Sequence, residues 1–169
     1  MNAIVAADQN WGIGYKGRLL ARLPGDMRFF RGHTVGKVLV VGRETLESFP
    51  GGKALADRTT VCLTRNHDFS ADCKMVYSLD ECLEFLSRFP SDDVYIAGGE
   101  SVYRQFLPYC DSCLVTRINH VFEADRFFIN LDEREDFRLI NSGEAMTEDG
   151  LEYRFTEYRR IIVPYGLST

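Results

Sequence analysis

The chain contains no lysine- or arginine-rich run, and its 169 residues carry a formal charge of −5. That balance argues against a protein whose main task is coating nucleic acid or an anionic membrane. It also lacks an apolar stretch long enough to span a bilayer, and its first eight residues hold no basic leader. A soluble, cytoplasmic protein is expected. Repeats, low-complexity tracts and linkers are absent too, so residues 1–169 are expected to form one domain, with 161–169 as a tail. Cysteine is sparse and odd in number: Cys62, Cys73, Cys82, Cys110 and Cys113 show no disulfide framework, which suits a reducing compartment. Cys110 and Cys113 spell CxxC, but without a second pair they read as ordinary reduced thiols. His33, His67 and His120 have neither metal nor triad spacing, and no metal is expected. The G-x-G-x-x-G and G-x-x-x-x-G-K-[ST] fingerprints are missing as well.

What is present is an alternation of short apolar runs and helical patterns, at 45% hydrophobic content. The runs 3–7, 38–41, 60–63, 94–97 and 114–118 are β-branched or continuous, as strands buried on both faces are. Helices are expected with Met27, Phe30 and Val35 on one face after Pro24, from the capping box Ser78-Leu79-Asp80-Glu81, and from Glu100 to Leu107 before Pro108. Towards the end, 137–140 and 151–160 read as an antiparallel hairpin. Tyr153, Phe155 and Tyr158 would face the core and Arg154, Glu157 and Arg159 the solvent. The fold expected is α/β: a twisted, mostly parallel sheet of about eight strands with about four flanking helices and a C-terminal antiparallel hairpin.

Two strand-to-helix turns have the makings of phosphate sites. Val41-Gly42-Arg43-Glu44-Thr45 and Ala97-Gly98-Gly99-Glu100-Ser101 each place glycine where a strand ends and free N–H groups of a helix begin. Singly, either glycine is explained by the turn alone. In combination with Leu63-Thr64-Arg65-Asn66 after a third strand, they suggest a pyrophosphate gripped between two turns. Arg43 and Arg65 would then take the 2′-phosphate that distinguishes NADP from NAD.

Asp26 begins a helix, with Phe29 and Phe30 three and four residues on. One reading is a solvated first-turn acid favoured by the helix dipole. The other is a carboxylate that binds the amidine-like edge of a flat heterocycle through two parallel hydrogen bonds, with burial raising its pKa. Spacing alone leaves both open.

The ordered set Ile13-Gly14, Leu23-Pro24-x-Asp26-x-x-x-Phe30, Gly42-Arg43-x-Thr45-x-x-Ser48, Leu55-x-x-Arg58, Gly98-Gly99-x-x-Val102-Tyr103 and Thr116 resembles the bacterial dihydrofolate reductases over nearly the whole chain. The resemblance implies reduction of 7,8-dihydrofolate by hydride transfer from NADPH, in a protein that works as a monomer. It assigns Asp26 to the pterin ring, Val5, Ala6 and Phe30 to the pocket wall, and Thr116 to the support of Asp26. Arg58 would pair with the α-carboxylate of the glutamate tail, and Phe49 and Leu55 would pack on the aminobenzoyl ring. The cofactor falls to Gly42, Arg43, Glu44, Thr45, Leu63, Thr64, Arg65, Ala97, Gly98, Gly99, Glu100, Ser101, Val102 and Tyr103, with Ala7, Ile13 and Gly14 near the nicotinamide. A cis peptide between Gly98 and Gly99 is implied, as is a mobile loop from Asn10 to Leu23. Two positions depart from the family's pattern: Ala21 stands where most relatives have tryptophan, and Glu44 puts an acid beside Arg43. A riboflavin-pathway reductase of the same fold, or a nucleotide-binding module without turnover, are the competing readings.

Overall fold

The computed structural model describes residues 1–161. In chain order the elements are β1 (Asn2–Ala7), β2 (Gly12–Tyr15), β3 (Arg18–Leu19), α1 (Pro24–Thr34), β4 (Val38–Gly42), α2 (Arg43–Ser48), β5 (Thr59–Leu63), β6 (Lys74–Val76), α3 (Leu79–Leu86), β7 (Val94–Ile96), α4 (Glu100–Phe106), β8 (Ser112–Ile118), β9 (Arg126–Phe127), β10 (Phe137–Ser142), β11 (Met146–Glu148) and β12 (Leu151–Arg160). All five apolar runs become strands of one sheet, in the order β10-β12-β8-β1-β7-β4-β5-β6. Its ladders from β8 to β6 are all parallel, and only β10, β11 and β12 add antiparallel pairs. Val38 to Val41 are buried at every position, which is why that strand reads as a continuous apolar run rather than an alternation.

The sheet has nine strands rather than eight, and a second sheet of order β3-β2-β9 accompanies it. The ninth strand is β11, folded onto β12 by a turn in which Asp149 and Gly150 both take positive φ. Asp-Gly is a preferred pair for this type of hairpin turn. Lys16 and Gly17 likewise take positive φ and fold β2 onto β3, so the segment expected as one loop from Asn10 to Leu23 contains a hairpin.

One face of the sheet carries the larger core cluster. There Val38, Val40, Val61 and Ile96 meet Cys82 and Leu86 of α3 and Val102 and Phe106 of α4. The α3 start is capped as expected: Glu81 N–H donates to Ser78 Oγ at 3.1 Å, and Glu81 Oε2 accepts from Tyr77 N–H. Such a cap is worth about 1 kcal/mol. The other face carries two smaller clusters, around Leu39, Val41 and Leu46 and around Leu23, Ile118 and Tyr153. Helix α1 joins them, Phe30 packing on the first cluster and Phe29 stacking on Phe155 beside the second.

Three expectations need correction. Met27 and Val35 are exposed, so the buried face of α1 is carried by Phe29, Phe30 and Thr34. Val35 has left the helix as its C-cap, with extended ψ. Tyr158 packs in the larger cluster while Tyr153 and Phe155 lie on the opposite face. Odd spacing along a strand reverses the face, so β12 is covered on both sides. Finally, Ile161, expected in the tail, donates its N–H to Asp136 O at 2.9 Å; the rest of the expected tail lies outside the described residues. Among the described residues, no helix is long and apolar enough to cross a membrane.

Candidate active site

Helix α1 opens at Pro24, after Leu23 in extended conformation, and no side chain of its own caps it. Asp26 sits in this first turn and accepts a hydrogen bond from Thr116 Oγ1 at 2.6 Å. Thr116 is in β8, directly opposite Ala6 of β1 on one side and Phe155 of β12 on the other. Ala6, Thr116 and Phe155 therefore form a row across three strands beneath α1. The row is anchored by the Phe29–Phe155 stack, whose ring centroids are 4.0 Å apart. Burial pushes the Asp26 carboxyl above its ordinary pKa; the Thr116 hydroxyl opposes this and the nearby charge of Glu148 adds to it. Of the two sequence readings of Asp26, the solvated first-turn acid does not describe this environment.

Glu148 is a neighbour the sequence reading missed. Its two carboxylate oxygens accept the Gly25 N–H at 3.0 and 3.1 Å, and Oε1 also accepts from Tyr153 Oη at 2.7 Å. It thus supplies from another strand the cap that α1 lacks. A side chain at position 25 would collide with Tyr153 Oη and Glu148 Oε1. The Asp149-Gly150 turn was the available signal, since it sets the β11–β12 hairpin that carries Glu148.

Further along α1, Phe30 joins Phe49 and Leu55 on the cluster of Leu39, Val41 and Leu46. The Arg58 guanidinium lies 5.9 Å from the Phe30 ring centre and donates to Thr34 Oγ1 at 3.2 Å and Ala56 O at 2.9 Å. Both acceptors are uncharged. Partial burial and the neighbouring Arg31 lower the pKa of Arg58, a setting that favours an added anion. Val5 and Ala7 belong to the core cluster on the far face of the sheet, so from these two only backbone can face the α1 side. Ile13 packs at the margin of that same far-face cluster.

The glycine turns also meet as expected. Strands β5, β4 and β7 are adjacent and parallel, with Gly42 opposite Leu63 and Val40 opposite Ile96. Gly42 N–H donates to Gly98 O at 2.8 Å, and the Gly98–Gly99 peptide is cis. A Cβ on Gly42 would approach Val102 Cγ2 to 3.2 Å, and one on Gly98 or Gly99 would approach Thr45 Oγ1 to 3.3 or 3.4 Å. The backbone at these turns is therefore bare because neighbouring side chains already fill the space. Arg65 is exposed beyond β5 and Thr64 Oγ1 accepts from Asn66 N–H. Arg43 is near Glu47 at 3.7 Å and lies over the Phe69 ring.

Not every residue assigned to this group points the same way. Glu100 accepts from Phe127 N–H at 3.1 Å and pairs with Arg104, tying α4 to β9. Glu44 reaches Arg126 at 3.9 Å. Buried Tyr103 donates to Ile4 O at 2.7 Å, beneath β1. Gly14 O accepts from Asp125 N–H, and the Asp125 carboxylate accepts from Lys16 N–H at 3.1 Å, so the β2–β3 hairpin is held closed onto β9. Between this hairpin and α2 runs an open groove of about 420 Å³, lined by Lys16, Gly17, Glu44, Glu47, Ser48, Asp125 and Arg126. Trp11 is buried against Phe128 and Tyr158 under the Arg117 guanidinium, on the far face from Asp26. It does not replace the indole missing at Ala21. Among the described residues, no acid, His and Cys group is arranged to hold a metal ion.

Bare glycine turns at the carboxyl ends of parallel strands, with a half-buried carboxylate held by a threonine, define an open-sheet α/β protein of the class that binds ligands along that edge. The family model described as dihydrofolate reductase matches residues 1–160. The dihydrofolate reductase of Enterococcus faecium is 35% identical, covering 92% of this chain and 94% of its own length. That of Staphylococcus haemolyticus is 32% identical, at 95% and 96%. A solved structure of the Enterococcus faecalis dihydrofolate reductase, in complex with NADP(H), superimposes with a TM-score of 0.84 at 31% identity, covering 94% of this chain and 95% of that one. The chain belongs to the dihydrofolate reductase family.

Proposed function

We propose that this chain reduces 7,8-dihydrofolate to 5,6,7,8-tetrahydrofolate with NADPH, supplying one-carbon metabolism, and that Asp26 is its substrate-binding carboxylate. The observation that carries the reading is Asp26 itself, half-buried in the first turn of α1 and accepting from Thr116 at 2.6 Å. A carboxylate so held presents its remaining acceptor positions to a flat donor pair such as the pterin's amino-pyrimidine edge.

The residues suit the cofactor, since two glycine turns at adjacent parallel strand ends, tied by the Gly42 N–H to Gly98 O bond, leave backbone without side chains beside the start of a helix. The Gly42 and Gly98 turns would hold the pyrophosphate, with the Thr45 and Ser101 hydroxyls beside them. Arg43, Thr64 and Arg65 would hold the 2′-phosphate. Bound there, the reduced nicotinamide supplies the hydride for pterin C6. The chain's own work is orientation and electrostatics. Asp26 binds and polarises the ring while the proton for N5 arrives through water. Arg58 takes the α-carboxylate of the glutamate tail; Phe30, Phe49 and Leu55 form its apolar surroundings. Closure of the β2–β3 hairpin excludes bulk water from the reacting atoms.

The riboflavin-pathway alternative leaves Arg58 and the Asp26 pocket without a purpose. Mixing the protein with NADPH and dihydrofolate should oxidise the NADPH, read as falling nicotinamide absorbance. No oxidation with dihydrofolate overturns the proposal. We further read the protein as a cytoplasmic monomer with one domain. The five free thiols support the reducing compartment, and gel filtration tests the monomer.

A further inference from the structure

We propose that Glu148 is a positioning residue for Asp26, clamping the first turn of α1 to the β11–β12 hairpin while holding a second negative charge beside the substrate-binding carboxylate. The inference rests on the reading of Asp26 given above. Three observations carry it. Both Glu148 oxygens accept the Gly25 N–H, immediately before Asp26, and Tyr153 Oη, itself buried, donates to the same carboxylate. Position 25 is glycine where any Cβ would collide with this clamp. The neighbouring cation Arg28 approaches Glu148 at 3.9 Å but is well exposed, so water screens it.

The consequence is electrostatic as well as geometric. The free N–H groups at a helix start favour an ionised acid in the first turn. Glu148 occupies one of them and brings a like charge, which disfavours ionisation of Asp26. The groups facing Asp26 are Thr116 from β8, Glu148 from β11, Tyr153 from β12 and Tyr103 from α4; of these only Glu148 is charged at neutral pH. Removing its charge therefore lets Asp26 and the ring bound to it lose their shared proton at lower pH. The protonated form is the one in which N5 can take its proton from water, so hydride transfer should begin to fall at lower pH.

The test is the pH profile of hydride transfer in Glu148→Gln, which keeps an acceptor for Gly25 and Tyr153 but removes the charge. The low-pH plateau should be retained, the midpoint should move down, and transfer well above the midpoint should be roughly threefold slower. A midpoint identical to that of the wild type overturns the proposal, as does a fall in the plateau alone. If Glu148→Gln does not fold, Glu148→Asp withdraws the charge from Gly25 and should shift the midpoint in the same direction; no shift again overturns it. Asp26→Asn, run in parallel, separates the two claims. Its full activity would sink the assignment of Asp26, whereas its collapse beside an unshifted Glu148 variant would sink only the role of Glu148.

Discussion

At Asp26, function and stability pull in opposite directions. Its folded pKa is raised by burial, so the folded state binds more protons than the unfolded one. Stability therefore declines as pH rises from below the unfolded value of about 3.9 through the raised folded value. Asp26→Asn removes that cost at neutral pH. It is expected to raise Tm near neutrality while slowing hydride transfer on the order of 100-fold and leaving NADPH affinity intact; thermal melts and single-turnover rates check the two halves. Arg58 offers a cleaner separation, because its two donated bonds go to uncharged oxygens and its charge is unspent. Arg58→Ala should raise the KM for dihydrofolate roughly 10- to 100-fold, the worth of a charge-assisted hydrogen bond. A pterin without the glutamate tail should be turned over as before. The contact of Thr116 with Asp26 was legible because both lie in ordered motifs. Glu148 was not: the adjacent Asp149-Gly150 pair marks the hairpin but not the partner, since its contact with Gly25 lies far away in sequence.

Among the elements, the strand-end turns show what spacing can reveal. Glycine at 42, 98 and 99 pointed to strand-end turns with free N–H groups, and the structure adds that Val102 and Thr45 would crowd any Cβ there. Gly98 also takes φ +118°, which a side chain rarely adopts. Gly98→Ala should therefore weaken NADPH binding and cost about 1–3 kcal/mol in stability, measured by isothermal titration and denaturant unfolding. The short strands β2, β3, β9 and β11 were not legible as strands. The β2–β3 and β11–β12 ladders depend on turns with positive φ at Lys16, Gly17, Asp149 and Gly150 rather than on apolar runs, and β9 joins β2 from far along the chain. The same holds for Tyr158, whose side of β12 became clear only once Trp11 and Phe128 were found beneath it.

For the molecule as a whole, the parallel sheet was legible because strands buried on both faces write themselves as Val, Ile and Leu runs. The antiparallel border was legible only in part, since β10 is largely exposed beyond Phe137. That border is closed by charge. Arg134 and Arg160 converge on Asp136, and Arg160 also donates to Leu107 O and Cys110 O. The two guanidiniums, Arg134 foremost, hold the Asp136 carboxyl down at about 2. A depressed folded pKa contributes stability above the unfolded value and loses it as pH falls through the folded one. The Tm deficit of Asp136→Asn should thus be present at about pH 6 and shrink from about pH 4 towards pH 2, followed by calorimetry.

Strand β12 is the last of the described strands to be made, yet it sits between β8 and β10. It also brings Phe155 against Phe29 of α1 and Tyr153 to the Glu148 carboxylate that holds Gly25. A nascent chain stalled before Leu151 would carry Asp26, Thr116 and every glycine turn and still expose one long edge of β8. Such a chain is a client for chaperones rather than an enzyme, and activity should appear on the ribosome only after release of the final strand.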